Sequence, residues 1–236
     1  MSTQSAKMIC DNIHGSCNRR DFFYAINYGE TASRNHGCHN APNVLTAMAR
    51  AYIGAASNTL NRAKALHMRE RTLLYVAAAR NLEVAEEYLG TALKTKDIPL
   101  ELEVGAKTLL ATVALRREKY DQVAAILQSV HAEELALHKA TPEKYPKPDG
   151  KRASILNRAL IELRRPTEAL EVAQTMIAYY PDDPFAYSAL VSSFIAVGKQ
   201  SAALQAATEF MRRFPDHRSG PDIMKKARST QDIPPR

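Results

Sequence analysis

Two consecutive stretches of equal length decide the fold: GKRASILNRALIELRRPTEALEVAQTMIAYYPDD at residues 150–183 and PFAYSALVSSFIAVGKQSAALQAATEFMRRFPDH at residues 184–217. Small and apolar residues recur between them at a spacing of 34 positions. The matching pairs are Leu156 and Leu190, Leu160 and Phe194, Ala169 and Ala203, Ala173 and Ala207, and Met176 and Phe210. Both stretches reach Pro-Asp at the same place, where proline ends a helix because it has no amide hydrogen to donate. This period predicts a stack of helical hairpins.

The two stretches resemble the tetratricopeptide repeat family, which has the same period. Small residues stand where its two helices cross, here Ala169 and Ala203, and Gly198 stands at the turn, where the preceding repeat has Arg164. The resemblance is clearest over residues 150–217 and degenerate over 41–138. It implies an all-α fold, a right-handed α-solenoid of about five to six helical hairpins.

Upstream, the sequence predicts further hairpins at irregular spacing. The expected helix pairs are 7–16 with 21–32, 44–53 with 60–68, 72–79 with 84–93, and 102–115 with a helix that starts near residue 119. We expect Ser57 and Asn58 to cap the start of the helix 60–68, and Asn81 to lie in the turn between the helices 72–79 and 84–93, since these residue types favour caps and turns.

The chain is accordingly divided into five segments. Residues 1–40 are predicted to form an N-terminal helical segment, 41–140 degenerate hairpins, 141–150 a proline-rich linker, 151–219 two repeats, and 220–236 a capping helix, near 222–227, with a tail. The linker cannot be helical throughout because it contains Pro142, Pro146 and Pro148. We expect it to act as a hinge between two sub-stacks, and the tail from Ser229 to be disordered without a partner.

Composition favours a basic, helical, intracellular protein. The formal net charge is +7, only nine glycines occur and tryptophan is absent. The excess of positive charge favours acidic protein surfaces or ribonucleoprotein as partners, or serves as a solvated basic surface. The longest apolar run, residues 73–79, is too short to cross a bilayer, so we expect no membrane insertion. We expect the cytoplasm as the location, with an organelle matrix (mitochondrial) second.

The sequence lacks the short motifs of the common catalytic and cofactor sites. It contains no glycine-rich phosphate loop, no His-Glu-x-x-His and no nucleophile elbow. We therefore expect neither an enzyme nor a bound cofactor.

One group of residues has the chemistry of a zinc site. Cys10, His14 and Cys17 fall at i, i+4 and i+7, on one face of a helix, and Cys38 follows later. Thiolates and imidazoles are zinc ligands. The alternative, which we favour, is that the cysteines are small buried apolar residues.

Positively charged residues recur at the predicted turns between paired helices. If these turns share one edge, they form a basic ridge for a phosphate backbone or an acidic subunit. The helix dipole alone also favours cations at helix C-termini. The residues are Arg19, Arg20, Arg80, Arg116, Arg117, Arg164, Arg165 and Lys199.

In the tetratricopeptide repeat family the first helix of each hairpin lines the concave surface. The resemblance places Lys151, Ser154, Arg158, Ile161, Phe185, Ser188, Ser192 and Ile195 on this face. Lys151, Asn157 and Arg158 faintly suggest the carboxylate clamp of some members, but the next repeat offers Ser and Phe, so chaperone-tail binding is not predicted. Each of these positions is also consistent with an ordinary solvated helix face.

These observations predict a non-catalytic protein-interaction scaffold or adaptor, a subunit of a larger multi-subunit assembly. Its candidate partner-binding residues are Arg116, Arg117, Arg164, Arg165, Lys151, Arg158 and Phe185. The alternative is a basic helical-repeat protein associated with a ribosome or other ribonucleoprotein through phosphate contacts.

Overall fold

A computed structural model of the protein describes residues 3–66, 68–143, 147 and 149–229. These residues form eleven α-helices and no strand. Part of the predicted linker (144–146 and 148) and the tail from residue 230 lie outside the described residues. The helices are α1 (Thr3–Asn18), α2 (Phe22–Asn35), α3 (Pro42–Ala63), α4 (Met68–Leu93), α5 (Leu100–Arg116), α6 (Tyr120–Ala140), α7 (Gly150–Glu162), α8 (Pro166–Tyr179), α9 (Pro184–Ala196), α10 (Gln200–Arg213) and α11 (Gly220–Ser229).

The chain forms two compact units, residues 1–113 and 114–236, and the division falls inside α5. The predicted linker therefore does not separate the units. Helices α6 and α7, on either side of it, pack together within the second unit. The guanidinium of Arg152 on α7 forms an ion pair with the carboxylate of Glu134 on α6. Helices α6 and α7 thus contact each other directly on either side of the predicted linker 141–150.

In the first unit, α1 and α2 form the predicted N-terminal hairpin and pack against α3. Ile9, Ile13, Val44 and Met48 are fully buried between them. Gly29 on α2 allows the close approach, because a Cβ added there would overlap the sulfur of Met48. Glycine is unfavourable inside a helix, and this contact gives the reason for its presence.

Residues 42–93 correct the sequence-based prediction. We expected four short helices there, but α3 and α4 form a single hairpin of 22 and 26 residues. The hydroxyl of Ser57 donates to the carbonyl of Ile53 at 2.9 Å inside α3 and caps no helix. Asn81 lies inside α4. The buried residues Ala78, Leu82, Ala85 and Leu89 continue as one stripe past Asn81, so the helix has no reason to end there.

In the second unit, two hairpins repeat with the predicted period. Helices α7 and α9 begin at Gly150 and Pro184, and α8 and α10 begin at Pro166 and Gln200, so each start is displaced by 34 residues. The corresponding ends are displaced equally. Ala169 and Ala203 are both fully buried, which confirms that they occupy matching sites.

The end of the second unit is covered by α11. Ile223 and Ala227 of this helix are buried against Phe210 of α10 and Val191 of α9. The side-chain amide of Gln200 donates to the carbonyl of Ala227. The helix extends over more residues than the predicted 222–227, and it shields the last hairpin as terminal repeats require.

Candidate protein-interaction face

Four of the turns between paired helices share one backbone conformation. The second residue after the helix end adopts a left-handed conformation at Arg20, Glu118, Arg164 and Gly198, with φ of 62°, 57°, 59° and 74°. At each turn the next amide donates to the carbonyl five residues earlier at 2.9 Å. This is the Schellman motif, which ends a helix and satisfies its last carbonyls. Arg164 and Gly198, which are 34 residues apart, therefore occupy the same left-handed position in successive repeats.

The predicted basic ridge is only partly retained in the turns. Arg116 and Arg117 lie at the end of α5, and Arg19, Arg164 and Lys199 also lie at turns, but Arg80 lies in the middle of α4. The prediction for Arg80 was wrong because it depended on the break at Asn81.

Arg165 is occupied by contacts within the chain. Its guanidinium donates two hydrogen bonds of 2.6 Å to the carboxylate of Glu168. The same contact raises the pKa of Arg165 and lowers the pKa of Glu168. The side-chain amide nitrogen of Gln128 on α6 donates to Oε2 of Glu168, which also accepts from Arg165, at 3.0 Å. Because its charge is already balanced, Arg165 is a weaker candidate for a partner than Arg164.

The eight face positions predicted on α7 and α9 all have solvent access. Lys151, Arg158 and Phe185 are exposed, and Phe185 presents 63% of its surface to solvent. The ring of His217 contacts Phe185 edge-on with a centroid separation of 6.3 Å. The only charged residues among the eight positions are Lys151 and Arg158. This surface, which we call the α7–α9 face, is therefore positively charged and carries one exposed aromatic ring.

A groove lies at the turn end of this face, between α7 and α9. Its volume is about 510 Å³. Ile161, Ser192 and Ile195 line it as members of the predicted face, and Arg164 lines it from the turn. Glu162, Pro166 and Ala196 also line it and were not predicted. The groove thus offers two isoleucine side chains together with one exposed guanidinium, Arg164, and one exposed carboxylate, Glu162. It suits an apolar side chain next to a carboxylate that pairs with Arg164.

Asn157 does not belong to this surface. It is 3% exposed, and its side-chain amide donates to the carbonyl of Ala169 at 2.6 Å and to the hydroxyl of Ser193 at 2.7 Å. It therefore ties α7 to α8 and to α9, and the faint resemblance to a carboxylate clamp fails at this position. The bond to Ser193 fixes the spacing of the two helices that carry the face.

The solved structures that superpose on this chain include tetratricopeptide repeat (TPR) proteins. YrrB, a TPR protein with an unusual peptide-binding site, superposes with a TM-score of 0.55 at 15% identity over 92% of this chain and 90% of its own. MamA superposes with a TM-score of 0.58 at 12% identity over 91% of this chain and 94% of its own. TTC0263, a thermophilic TPR protein of Thermus thermophilus, superposes with a TM-score of 0.52 at 12% identity over 97% of this chain and 100% of its own.

The chain has the tetratricopeptide repeat fold. No protein-family model and no curated protein matches its sequence. At these identities the solved structures establish the fold alone. The prediction of an all-α fold with about five to six TPR-like hairpins is confirmed by the five successive helix pairs and the final α11 in the described residues.

The cysteines of this TPR-type chain lie in or beside its apolar core. Cys10 and Cys38 are buried in the first unit, and Cys17 is half-buried. Burial raises the pKa of Cys10 to about 11 and lowers the pKa of His14, so neither group readily ionises. Within the described ranges, no three histidine, cysteine or acidic side chains are grouped to hold a metal ion. The buried-apolar interpretation accounts for these positions.

No helix among the described parts of the chain combines the length and the apolar character needed to span a bilayer.

Proposed function

We propose that the protein is a non-catalytic interaction scaffold or adaptor that binds an acidic segment of a partner protein on the α7–α9 face, as a subunit of a larger assembly. The observation that carries this proposal is the groove between α7 and α9, where Ile161 and Ile195 lie beside the exposed Arg164. The peptide-binding site named for YrrB is additional support for a peptide as the ligand.

The charges of the face favour an acidic partner. Lys151 and Arg158 stand about two turns from each other on α7, and Arg164 follows at its end. A partner segment with two or three carboxylates can pair with these cations while an apolar side chain enters the groove. Such contacts at the rim of an interface mainly accelerate association and select the partner.

The proposal is tested by affinity purification of the full chain at low salt with a nuclease arm, followed by mass spectrometry and reconstitution of the recovered partner. We expect a partner that nuclease does not release and that binds more weakly as salt concentration rises. The triple variant K151E/R158E/R164E should lose most of this binding. Release by nuclease would instead favour the ribonucleoprotein alternative.

Lys139→Glu is the matched control, because Lys139 is exposed but lies at the end of α6, outside the α7–α9 face. This variant changes the net charge in the same direction and should retain the partner. If it weakens binding as much per charge as the triple variant does, then overall charge and not the face determines recognition.

The turn arginines are tested separately. The quadruple variant R116E/R117E/R164E/R165E reverses the predicted basic ridge. We expect Arg164→Glu alone to account for most of its effect, since Arg165 is already paired with Glu168. If R116E/R117E weakens partner binding as much as Arg164→Glu does, the binding surface includes the turn between α5 and α6 as well.

A further inference from the structure

A second uncovered surface lies in the other compact unit, on the first half of α4. Leu73, Tyr75 and Val76 are 74%, 49% and 64% exposed. They belong to the longest apolar run of the chain, whose other side holds the half-buried Leu74 and the buried Ala78. Single exposed apolar residues are common, but three within four residues of a helix form a patch that needs an explanation. We call Leu73, Tyr75 and Val76 the α4 strip.

The spacing of the strip suits contact with another helix. Leu73, Val76, Ala77 and Arg80 are all exposed and occupy positions i, i+3, i+4 and i+7. Residues at this spacing lie on one side of a helix, and such rows form the ridges that pack into the grooves of a neighbouring helix. The solvent side of α4 therefore carries apolar residues over one helical turn, and the next residue of the row is the cation Arg80.

The chain is basic around the strip and on its N-terminal side. Five Lys or Arg residues and one acidic residue, Glu70, occur between positions 58 and 82, whereas Glu83, Glu86 and Glu87 follow on α4 beyond Arg80. Arg71 donates to the carbonyls of Leu66 at 2.6 Å and Lys64 at 3.2 Å, which closes the end of α3. Arg62, Lys64 and Arg80 are exposed, and among the described residues no carboxylate pairs with them.

We infer that the α4 strip is the docking site of an acidic amphipathic helix from a partner protein. Apolar residues at i, i+3 and i+4 of that helix cover Leu73 and Val76, and its acidic residues pair with Arg62, Lys64 and Arg80. This is the helix-on-helix mode of recognition with complementary charges at the rim.

Two other occupants fit the strip less well. A second copy that met the same surface about a two-fold axis would bring the cations of both copies together. A membrane-surface helix buries a broad face of large apolar side chains, whereas the exposed large apolar residues in the described part of α4 are confined to Leu73, Tyr75 and Val76, within one helical turn.

This inference goes beyond the proposed function. It adds a separate surface, on the unit that does not contain the α7–α9 face, for a partner that is helical. The protein would then join two partners, one on each unit.

The test uses the full chain to select ligands from a displayed library of helical peptides with leucines fixed at i, i+3 and i+4 and all other positions randomised. We expect the selected peptides to be acidic, and a synthetic copy to shift the backbone amide resonances of residues 72–80. The variant L73S/V76S should weaken the binding of this peptide about tenfold or more, since both apolar anchors are lost. Arg80→Glu should weaken it less and reduce its salt dependence.

Phe23→Ser is the matched control, because Phe23 is also a large exposed apolar residue but lies on α2. It should leave the affinity unchanged, and so should K151E/R158E/R164E, which keeps this test independent of the proposed function. Circular dichroism checks that each variant is folded.

Selected peptides without an acidic bias, or equal binding to L73S/V76S, would overturn the inference. Binding of the wild type to phosphatidylcholine–phosphatidylserine vesicles that L73S/V76S abolishes would assign the strip to a membrane instead. A dimer in sedimentation analysis that the same variant dissociates would assign it to a second copy.

Discussion

The two hairpins of α7–α10 and the single hairpin of α3 and α4 follow different rules for ending a helix. The helices of α7–α10 are 13 or 14 residues long, whereas α3 and α4 have 22 and 26 residues. Prolines begin α8 and α9, and Schellman turns end α7 and α9. Between residues 43 and 93 there is no proline. The comparison shows that proline and left-handed turns set helix length here, and that asparagine does not.

This difference also explains which part of the fold the sequence predicts. Over residues 150–217 the period, the helix pairs and the buried alanines are all confirmed, because strong signals agree at each position. Over 42–93 the prediction assigned a break to Asn81, although asparagine costs a helix only about 0.5 kcal/mol relative to alanine. The uninterrupted stripe from Ala78 to Leu89 was the signal that could have corrected it.

The candidate face was predictable in part for a similar reason. A helix of known register fixes which residues point outward, so the eight face positions follow from the period. Contacts between side chains do not follow from the period. The pairing of Arg165 with Glu168 and the burial of Asn157 depend on how neighbouring helices pack. The α4 strip was hidden because its apolar run reads as core until the structure shows which side is covered.

The largest expected effect tests the continuity of α4. Asn81→Pro should destabilise the first unit by about 3 kcal/mol or more, because proline removes a hydrogen bond inside the helix and clashes with the preceding turn. At a true turn the same change would cost far less. Urea denaturation followed by circular dichroism measures the change, and Asn81→Ala is the control that keeps the amide hydrogen. A Pro variant as stable as the Ala variant would restore the original prediction of a break.

The next effect concerns the bond that sets the spacing of the regular hairpins. Asn157→Ala should destabilise the second unit by about 1–3 kcal/mol, since it leaves the buried carbonyl of Ala169 and the hydroxyl of Ser193 without this partner. The double variant N157A/S193A should cost less than the sum of the two single changes. Strict additivity in denaturant titrations would show that the two side chains are not energetically coupled.

A smaller effect, of opposite sign at two matched positions, tests the left-handed turns. Arg164→Gly should stabilise the chain by about 1 kcal/mol, because a residue with a Cβ is strained at φ of 59°. Gly198→Ala should destabilise it by a similar amount, since φ there is 74°. Thermal unfolding measures both, and the prediction fails if the two variants shift the midpoint in the same direction.

The smallest effect is a change in pH dependence where the regular hairpins meet α6. His131 on α6 is buried, its Nδ1 has no hydrogen-bond partner in the described structure, and burial together with the nearby Arg152 lowers its pKa. As the pH falls below about 6.5 the unfolded chain binds a proton that the folded chain does not, so stability decreases. His131→Leu should make this decrease smaller, since the lowered pKa of His14 still contributes, while leaving stability near neutral pH similar or higher. His39→Ala, at an exposed histidine, should keep the wild-type profile. An unchanged acid slope in the Leu variant would place the proton uptake elsewhere in the chain.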